Sequence, residues 1–214
     1  GVGKTMLCRE LSKLMFSSDR AYIKLDMSEY MESHSVSRMI GAPPGYSGHE
    51  EGGRLTEAVR RQPYSVVVFD EIEKAHRDVF NILLQILDEG RLTDGCGAEV
   101  SFKNCIVIMT SNVGFEELGR EVSFGFLQEK NNANDEKMLD KKTNSALKKL
   151  FSSELLSRVD ETVVFRFLTP DDGEKIVKKM LSELQKRCGA AGCLLKFSPD
   201  VSAYIANMGC GREY

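Results

Sequence analysis

Gly1-Val2-Gly3-Lys4-Thr5 opens the 214-residue chain with a glycine turn, then a cation, then a hydroxyl. Ahead of an amphipathic helix, that order suits a phosphate. Backbone N–H groups and the helix N-terminus would face phosphate oxygens, Lys4 would reach the β- and γ-phosphates, and Thr5 would hold magnesium. The full pattern wants another glycine three positions before Gly1, so the stretch alone also reads as an ordinary turn capping a helix. Val66-Val67-Val68-Phe69-Asp70-Glu71 ends an apolar run on two adjacent acids. Asp70 suits a magnesium-organising carboxylate, and Glu71 a neighbour that polarises water. Two acids at such a strand end favour ATP hydrolysis over GTP switching, and no Asn-Lys-x-Asp guanine-reading element occurs. Thr110-Ser111-Asn112 closes another apolar run. If its strand lies beside the acidic one, Asn112 can orient the attacking water; otherwise it is a turn residue.

These residues need elements to position them. Leu7, Leu11, Leu14 and Met15 predict one apolar stripe on a helix starting at the turn. Ala21 to Leu25 predicts a short strand ending at Asp26, followed by a polar helical stretch and a shaped loop, Gly41 to Gly48, rich in Pro and Gly. Leu55 to Arg61 predicts a helix stopped at Pro63. Val66 to Phe69 fits a parallel strand covered on both faces. A helix from Asp78 to Asp88 turns Val79, Phe80, Leu83, Leu84 and Leu87 inward and ends at Gly90. Cys105 to Thr110 predicts another buried strand, and Thr162 to Phe165 a further one. Asn131 to Lys142 reads as a solvated loop or surface helix. Leu168-Thr169-Pro170 marks a composition break. Beyond it come a helix through Ile176, Met180 and Leu184, a short strand over Leu194 to Phe197, and a helix from Val201 to Met208. Strands alternating with helices predict an α/β fold with a parallel sheet over residues 1–167. A small α+β domain would begin at 168.

Composition sets the outer bounds. Apolar residues make up 42% and charged residues 29%, which excludes disorder of the whole chain. Lys and Arg number 29 against 32 Asp and Glu, a net charge of -3 that argues against a dedicated nucleic-acid binder. No apolar run approaches the ~18 residues of a membrane span, and no signal-peptide core opens the chain. Cys8, Cys96, Cys105, Cys188, Cys193 and Cys210 form no Cys-x-x-Cys. They read as reduced thiols of a cytoplasmic or equivalent reducing compartment, such as a plastid stroma. With scattered histidines they make no zinc pattern. There is no nucleophile elbow and no His-Glu-x-x-His, so no protease chemistry.

Six further stretches occur in a telling order: Asp26-Met27-Ser28-Glu29-Tyr30, Gly41 to Gly48, Glu51-Gly52-Gly53, Asp70 to His76, Gly90-Arg91-Leu92-Thr93-Asp94-Gly95 and Met109-Thr110-Ser111-Asn112. With them the chain resembles the second ATPase ring domain of the Clp protein unfoldases, within the AAA+ superfamily. The resemblance covers most of residues 1–167; the tail beyond 168 resembles the family's small domain less sharply.

That resemblance implies a homo-hexameric ring with ATP and Mg2+ between subunits. It assigns Gly1, Val2, Gly3, Lys4, Thr5 and Asp70 to the nucleotide, and Thr5 and Asp70 to the metal. Glu71 activates water and Asn112 takes the sensor role. Arg158, in Leu156-Ser157-Arg158-Val159-Asp160-Glu161, becomes an arginine finger in the neighbour's site. Ser157 and Val159 depart mildly from the usual Asn and Ile. Tyr46 resembles the pore-loop aromatic that grips an extended substrate, with Ser47 where Val is usual, and Gly95 to Phe102 loosely resembles a second pore loop. Phe124-Gly125-Phe126 resembles the apolar-Gly-apolar tripeptide that docks on the Clp peptidase; its two phenylalanines would otherwise fold back as local core. Substrates would be unfolded or tagged proteins, with adaptors possible, and no membrane partner.

The family's sheet order is 5-1-4-3-2, with a central first strand before the phosphate loop. The chain is therefore expected to be a fragment cut inside its motif, with two ladders unpaired. A Gly-Ala-Arg expected near Gly211-Arg212-Glu213-Tyr214 is also missing. Alone, the chain should neither assemble nor hydrolyse ATP efficiently. For the parent, the leading expectation is an ATP-driven unfoldase feeding a peptidase. The alternatives are a disaggregase, a nucleic-acid remodelling ATPase and a nucleotide-binding scaffold that does not hydrolyse.

Overall fold

The computed structural model describes all residues except 1–2, 44, 46–51, 113–144, 166–167, 199 and 210–214. In chain order the elements are α1 (Lys4–Phe16), β1 (Tyr22–Asp26), α2 (Ser33–Ile40), α3 (Arg54–Arg61), β2 (Ser65–Asp70), α4 (Arg77–Glu89), β3 (Arg91–Thr93), β4 (Glu99–Ser101), β5 (Cys105–Met109), α5 (Ser153–Ser157), α6 (Pro170–Ala190) and α7 (Val201–Gly209). They fall into two compact units. The larger is Lys4–Val164, and the smaller includes Phe165–Tyr214.

In the larger unit, β1, β2 and β5 form a parallel three-stranded sheet with β2 in the middle. Those are three consecutive places of the order that the family resemblance implies. Every residue of β2 is buried, which explains its unbroken apolar run. Its side chains alternate between two faces. Val67 and Phe69 join the main core with Leu25, Met39, Leu55, Val79 and Leu83. Val66 and Val68 pack on the other face with Cys8 of α1. Each such side chain contributes about 1.5–3 kcal/mol of burial. Helix α4 buries Val79, Ile82, Leu83 and Ile86 and stops at Gly90, whose φ of 64° lets its N–H reach the Ile86 carbonyl.

The stripe of α1 forms, and Leu7, Leu14 and Met15 face outward, with Leu14 80% exposed. The sheet covers Cys8 on the opposite face, where Ser12 is also buried. Three expectations are corrected. Strand β5 is half-buried along its length rather than buried, because among the described residues it has β2 as its one neighbour. Thr162 to Phe165 forms no strand. Among the described residues no strand offers it a ladder. Leu194 to Phe197 is likewise unpaired, so the described part of the smaller unit is helical rather than α+β. A helix begins at Thr169. Its hydroxyl accepts the Asp172 N–H, and the Asp172 carboxylate accepts the Thr169 N–H, a capping box that starts α6.

Helix α5 and a hairpin were not expected. In the hairpin, β3 and β4 pair antiparallel and bury Leu92 and Val100. The region expected at 131–142 lies outside the described residues.

Candidate functional site

Three parallel strands end on the same side, so Asp26, Asp70 and the residues after Met109 share one edge of the sheet. The N-terminus of α1 meets that edge, following Gly3 with its φ of 92°. Thr5 Oγ1 lies 3.4 and 3.5 Å from the two Asp70 carboxylate oxygens. Lys4 Nζ donates to the Ser111 carbonyl at 2.5 Å and to Asn112 Oδ1 at 2.5 Å. Asn112 Nδ2 in turn donates to Glu71 Oε1 at 3.4 Å. One amide therefore bridges the cation and the second acid. The expected residues Lys4, Thr5, Asp70, Glu71 and Asn112 form a single cluster.

Asp70 is the electrostatic centre. Burial alone would raise its carboxyl, but hydrogen bonds from Lys24 and Thr110 outweigh burial and hold it below the ordinary carboxylate range. Lys24 Nζ sits 2.6 Å from Oδ2. The Thr110 hydroxyl donates to Oδ1. The hydrogen bond to Asp70 raises the Lys24 ammonium, while burial lowers that of Lys4 despite the nearby Glu73, Asp70 and Glu71.

Glu71 has φ 56° and ψ 51°, the left-handed region, which a residue with a Cβ enters at a cost of about 1–2 kcal/mol. Three contacts hold it there. Its N–H donates to Thr110 Oγ1 at 3.3 Å, and the next N–H, of Ile72, donates to the Thr110 carbonyl at 3.0 Å. Lys74 Nζ pairs with Glu71 Oε2 at 2.5 Å. The strained turn swings the Glu71 carboxylate off the strand axis toward Asn112.

The sequence reading missed three contributors. Lys24 looks like a solvent-facing residue of an alternating strand. Thr110 reads in sequence as no more than the end of a strand. Glu73 accepts the Asn112 N–H at 3.0 Å through Oε1, while its buried Oε2 has no hydrogen-bond partner among the described residues. The Asp-Glu-x-Glu spacing was the available signal for Glu73, since the turn after β2 brings residue 73 back to the strand ends.

Arg158 is not in the cluster. It caps α5 and pairs through Nε with Asp88 of α4, its side chain 50% exposed. Gly1, Val2, Tyr46, Phe124, Gly125 and Phe126 lie outside the described residues.

The donor set fits magnesium with a nucleotide. Octahedral Mg2+ at 2.0–2.1 Å takes one or two protein oxygens and fills its other places with water and phosphate. Two ligands side by side on such an ion stand about 2.9 Å apart, so the Thr5 and Asp70 oxygens need only a small closure. Among the described residues no group of three or more His, Cys, Asp and Glu side chains is arranged to hold a metal unaided. No described helix is long and apolar enough to cross a membrane.

Comparison with known proteins gives two matches along the chain. Residues 1–162 match the AAA domain (Cdc48 subfamily), and residues 168–214 match the C-terminal, D2-small domain, of ClpB protein. The chain is 50% identical over 214 residues to the chaperone protein ClpB of Oceanobacillus iheyensis, covering 100% of this chain and 26% of that protein. It is 50% identical over 216 residues to the ATP-dependent Clp protease ATP-binding subunit ClpC of Staphylococcus epidermidis, again 100% of this chain and 26% of that protein. It is 49% identical over 214 residues to the negative regulator of genetic competence ClpC/MecB of Bacillus subtilis, with the same coverage. The chain thus spans about a quarter of the length of these curated relatives.

Proposed function

The chain belongs to the AAA domain family, Cdc48 subfamily, and on that premise we propose that it is the ATP-hydrolysing second ring domain of a hexameric protein unfoldase of the Clp type. The observation that carries this reading is the convergence of Lys4, Thr5, Asp70, Glu71 and Asn112 on one end of a parallel sheet. No alternative use of that combination is as economical.

Lys4 releases Asn112 and turns to the β- and γ-phosphates, with Gly1, Val2 and Gly3 supplying backbone donors. Thr5 and Asp70 would hold Mg2+, which when bound would supply positive charge beside the phosphate oxygens. Glu71 accepts a proton from the attacking water, and Asn112 aligns that water from the other side. Arg158 leaves Asp88 and reaches the neighbouring subunit's nucleotide, so hydrolysis depends on assembly. Tyr46 contacts the threaded polypeptide, where a flat aromatic ring suits any sequence.

The acidic balance and the ClpB and ClpC relatives favour protein over nucleic acid as the substrate. Coupling to a Clp peptidase through Phe124-Gly125-Phe126 is favoured over free disaggregation by the two apolar side chains in a polar stretch. A relative named as a chaperone and one named as a Clp protease ATP-binding subunit stand at the same 50% identity, so identity does not separate the two readings. The test is degradation of a tagged folded protein by the intact protein with ATP and peptidase. Glu71→Gln should abolish turnover, Tyr46→Ala should uncouple hydrolysis from unfolding, and Phe126→Ala should abolish degradation alone. Unfolding that survives Tyr46→Ala would remove the threading role.

A further inference from the structure

Helix α2 ends at Ile40 and α3 begins at Arg54, and the chain between them returns to its starting point. A Cβ added to Gly53 would lie 2.2 Å from the Ile40 carbonyl carbon and 2.5 Å from the Gly41 nitrogen. A Cβ on Gly95, in the β3–β4 turn, would lie 2.3 Å from the Gly41 oxygen. Real Cβ contacts essentially never fall under 3.0 Å. Three backbone segments therefore meet at a distance that only glycine permits. The Gly95 N–H donates to the Ile40 carbonyl at 2.9 Å, stitching the hairpin turn to the loop's first foot.

A charged clasp closes the same place. The Asp94 side chain, 9% exposed, accepts the N–H groups of Cys96 and Ala98 at 2.9 and 2.8 Å, which shapes the turn. It also receives Arg60 Nη2 at 2.6 Å. Arg60 stands on α3, whose start is the loop's second foot, and pairs with Glu57 on the same helix. So the hairpin turn holds one foot through the Gly95 N–H and the other through Arg60.

We infer that Gly41, Gly53 and Gly95, locked by the Arg60–Asp94 ion pair, form a positioning joint that ties both feet of the segment carrying Tyr46 to the 94–98 turn, so that engagement of an extended polypeptide depends on it. This rests on the reading of Tyr46 as a substrate contact. The joint includes none of the residues of the nucleotide cluster.

The test uses Arg60→Gln, Asp94→Asn and their double variant in the intact protein. Asp94→Asn keeps an acceptor for Cys96 and Ala98 and loses the ion pair. Three quantities are read: basal ATP hydrolysis, its stimulation by casein, and the unfolding rate of a tagged fluorescent protein. Each single variant should keep basal hydrolysis, lower stimulation and unfolding about three- to tenfold, and be no worse in combination, as two halves of one contact must be. Arg60→Lys should restore most of the loss. Additive losses, unchanged unfolding, or a matching fall in basal hydrolysis would overturn the joint. Tyr46→Ala runs alongside. If it spares unfolding, the reading of Tyr46 fails; if it abolishes unfolding while the clasp variants do not, the joint alone fails.

Discussion

Lys24 Nζ stands 2.6 Å from Asp70 Oδ2 across the β1–β2 ladder, so the acid at the centre of the cluster is both ionised and fixed in orientation. Asp70 titrates below its ordinary 3.8 and Lys24 above its ordinary 10.5. A depressed acid contributes stability above its unfolded value and loses it as pH falls through the folded one. A raised base contributes below its unfolded value and loses it as pH rises through the folded one. Lys24→Met should therefore lower stability by about 1–2 kcal/mol between these limits, with the gap to the natural chain closing below pH 4. Denaturant midpoints at pH 7 and pH 3 check this; an equal gap at both would mean that Lys24 acts by packing alone.

Thr110 links the two acids. Its hydroxyl donates to Asp70, accepts the Glu71 N–H, and its carbonyl accepts the Ile72 N–H. Thr110→Val keeps the shape and deletes the hydroxyl, leaving a carboxylate oxygen and an N–H short of a partner. A loss of about 1–3 kcal/mol is expected, with Thr110→Ser recovering most of it. Calorimetry on the three proteins decides. If Ser were no better than Val, the methyl group rather than the hydroxyl would be what matters.

The contrast between Thr110 and its neighbours explains what local sequence can carry. Val66 to Phe69 announces a doubly covered strand, because burial on both faces leaves no room for polar residues, and Asp70-Glu71 then stands out. The pairing of Lys24 with Asp70 depends on the register between strands far apart in the chain, which alternation within Tyr22–Asp26 does not encode. Amphipathic spacing grouped Leu7, Leu11 and Leu14 on one face of α1, but says nothing about whether a partner covers that face. Thr162 to Phe165 and Leu194 to Phe197 have the composition of strands and find no ladder among the described residues. The left-handed turn at Glu71 carries no glycine or asparagine to announce it.

That turn gives a stability test separable from chemistry. Glu71→Gln and Glu71→Asn both remove the carboxylate, and both should stop hydrolysis. Gln keeps the strained φ of 56°, whereas Asn enters the left-handed region with less penalty. Asn should therefore be the more stable of the two, by up to about 1 kcal/mol, and Glu71→Val the least stable. Chemical unfolding of the three variants ranks them. A Gln variant as stable as Asn would show that no strain resides at this residue.

Arg158 is tied to Asp88 within its own chain, both side chains partly exposed. Such a pair contributes roughly 0–1 kcal/mol, so Arg158→Ala should barely move the melting temperature. As an arginine finger its removal should cost about 10³-fold or more in ATP turnover by the assembled ring. Asp88→Asn separates the two roles. It breaks the same ion pair and leaves the guanidinium free, so turnover should hold or rise. Mixing Arg158→Ala subunits with Glu71→Gln subunits sharpens the test, since a finger acting across the interface restores hydrolysis where a natural Glu71 faces a natural Arg158. If Asp88→Asn slowed turnover as much as Arg158→Ala, the contact within the subunit would be what hydrolysis requires, and Arg158 would have no part in its neighbour's site.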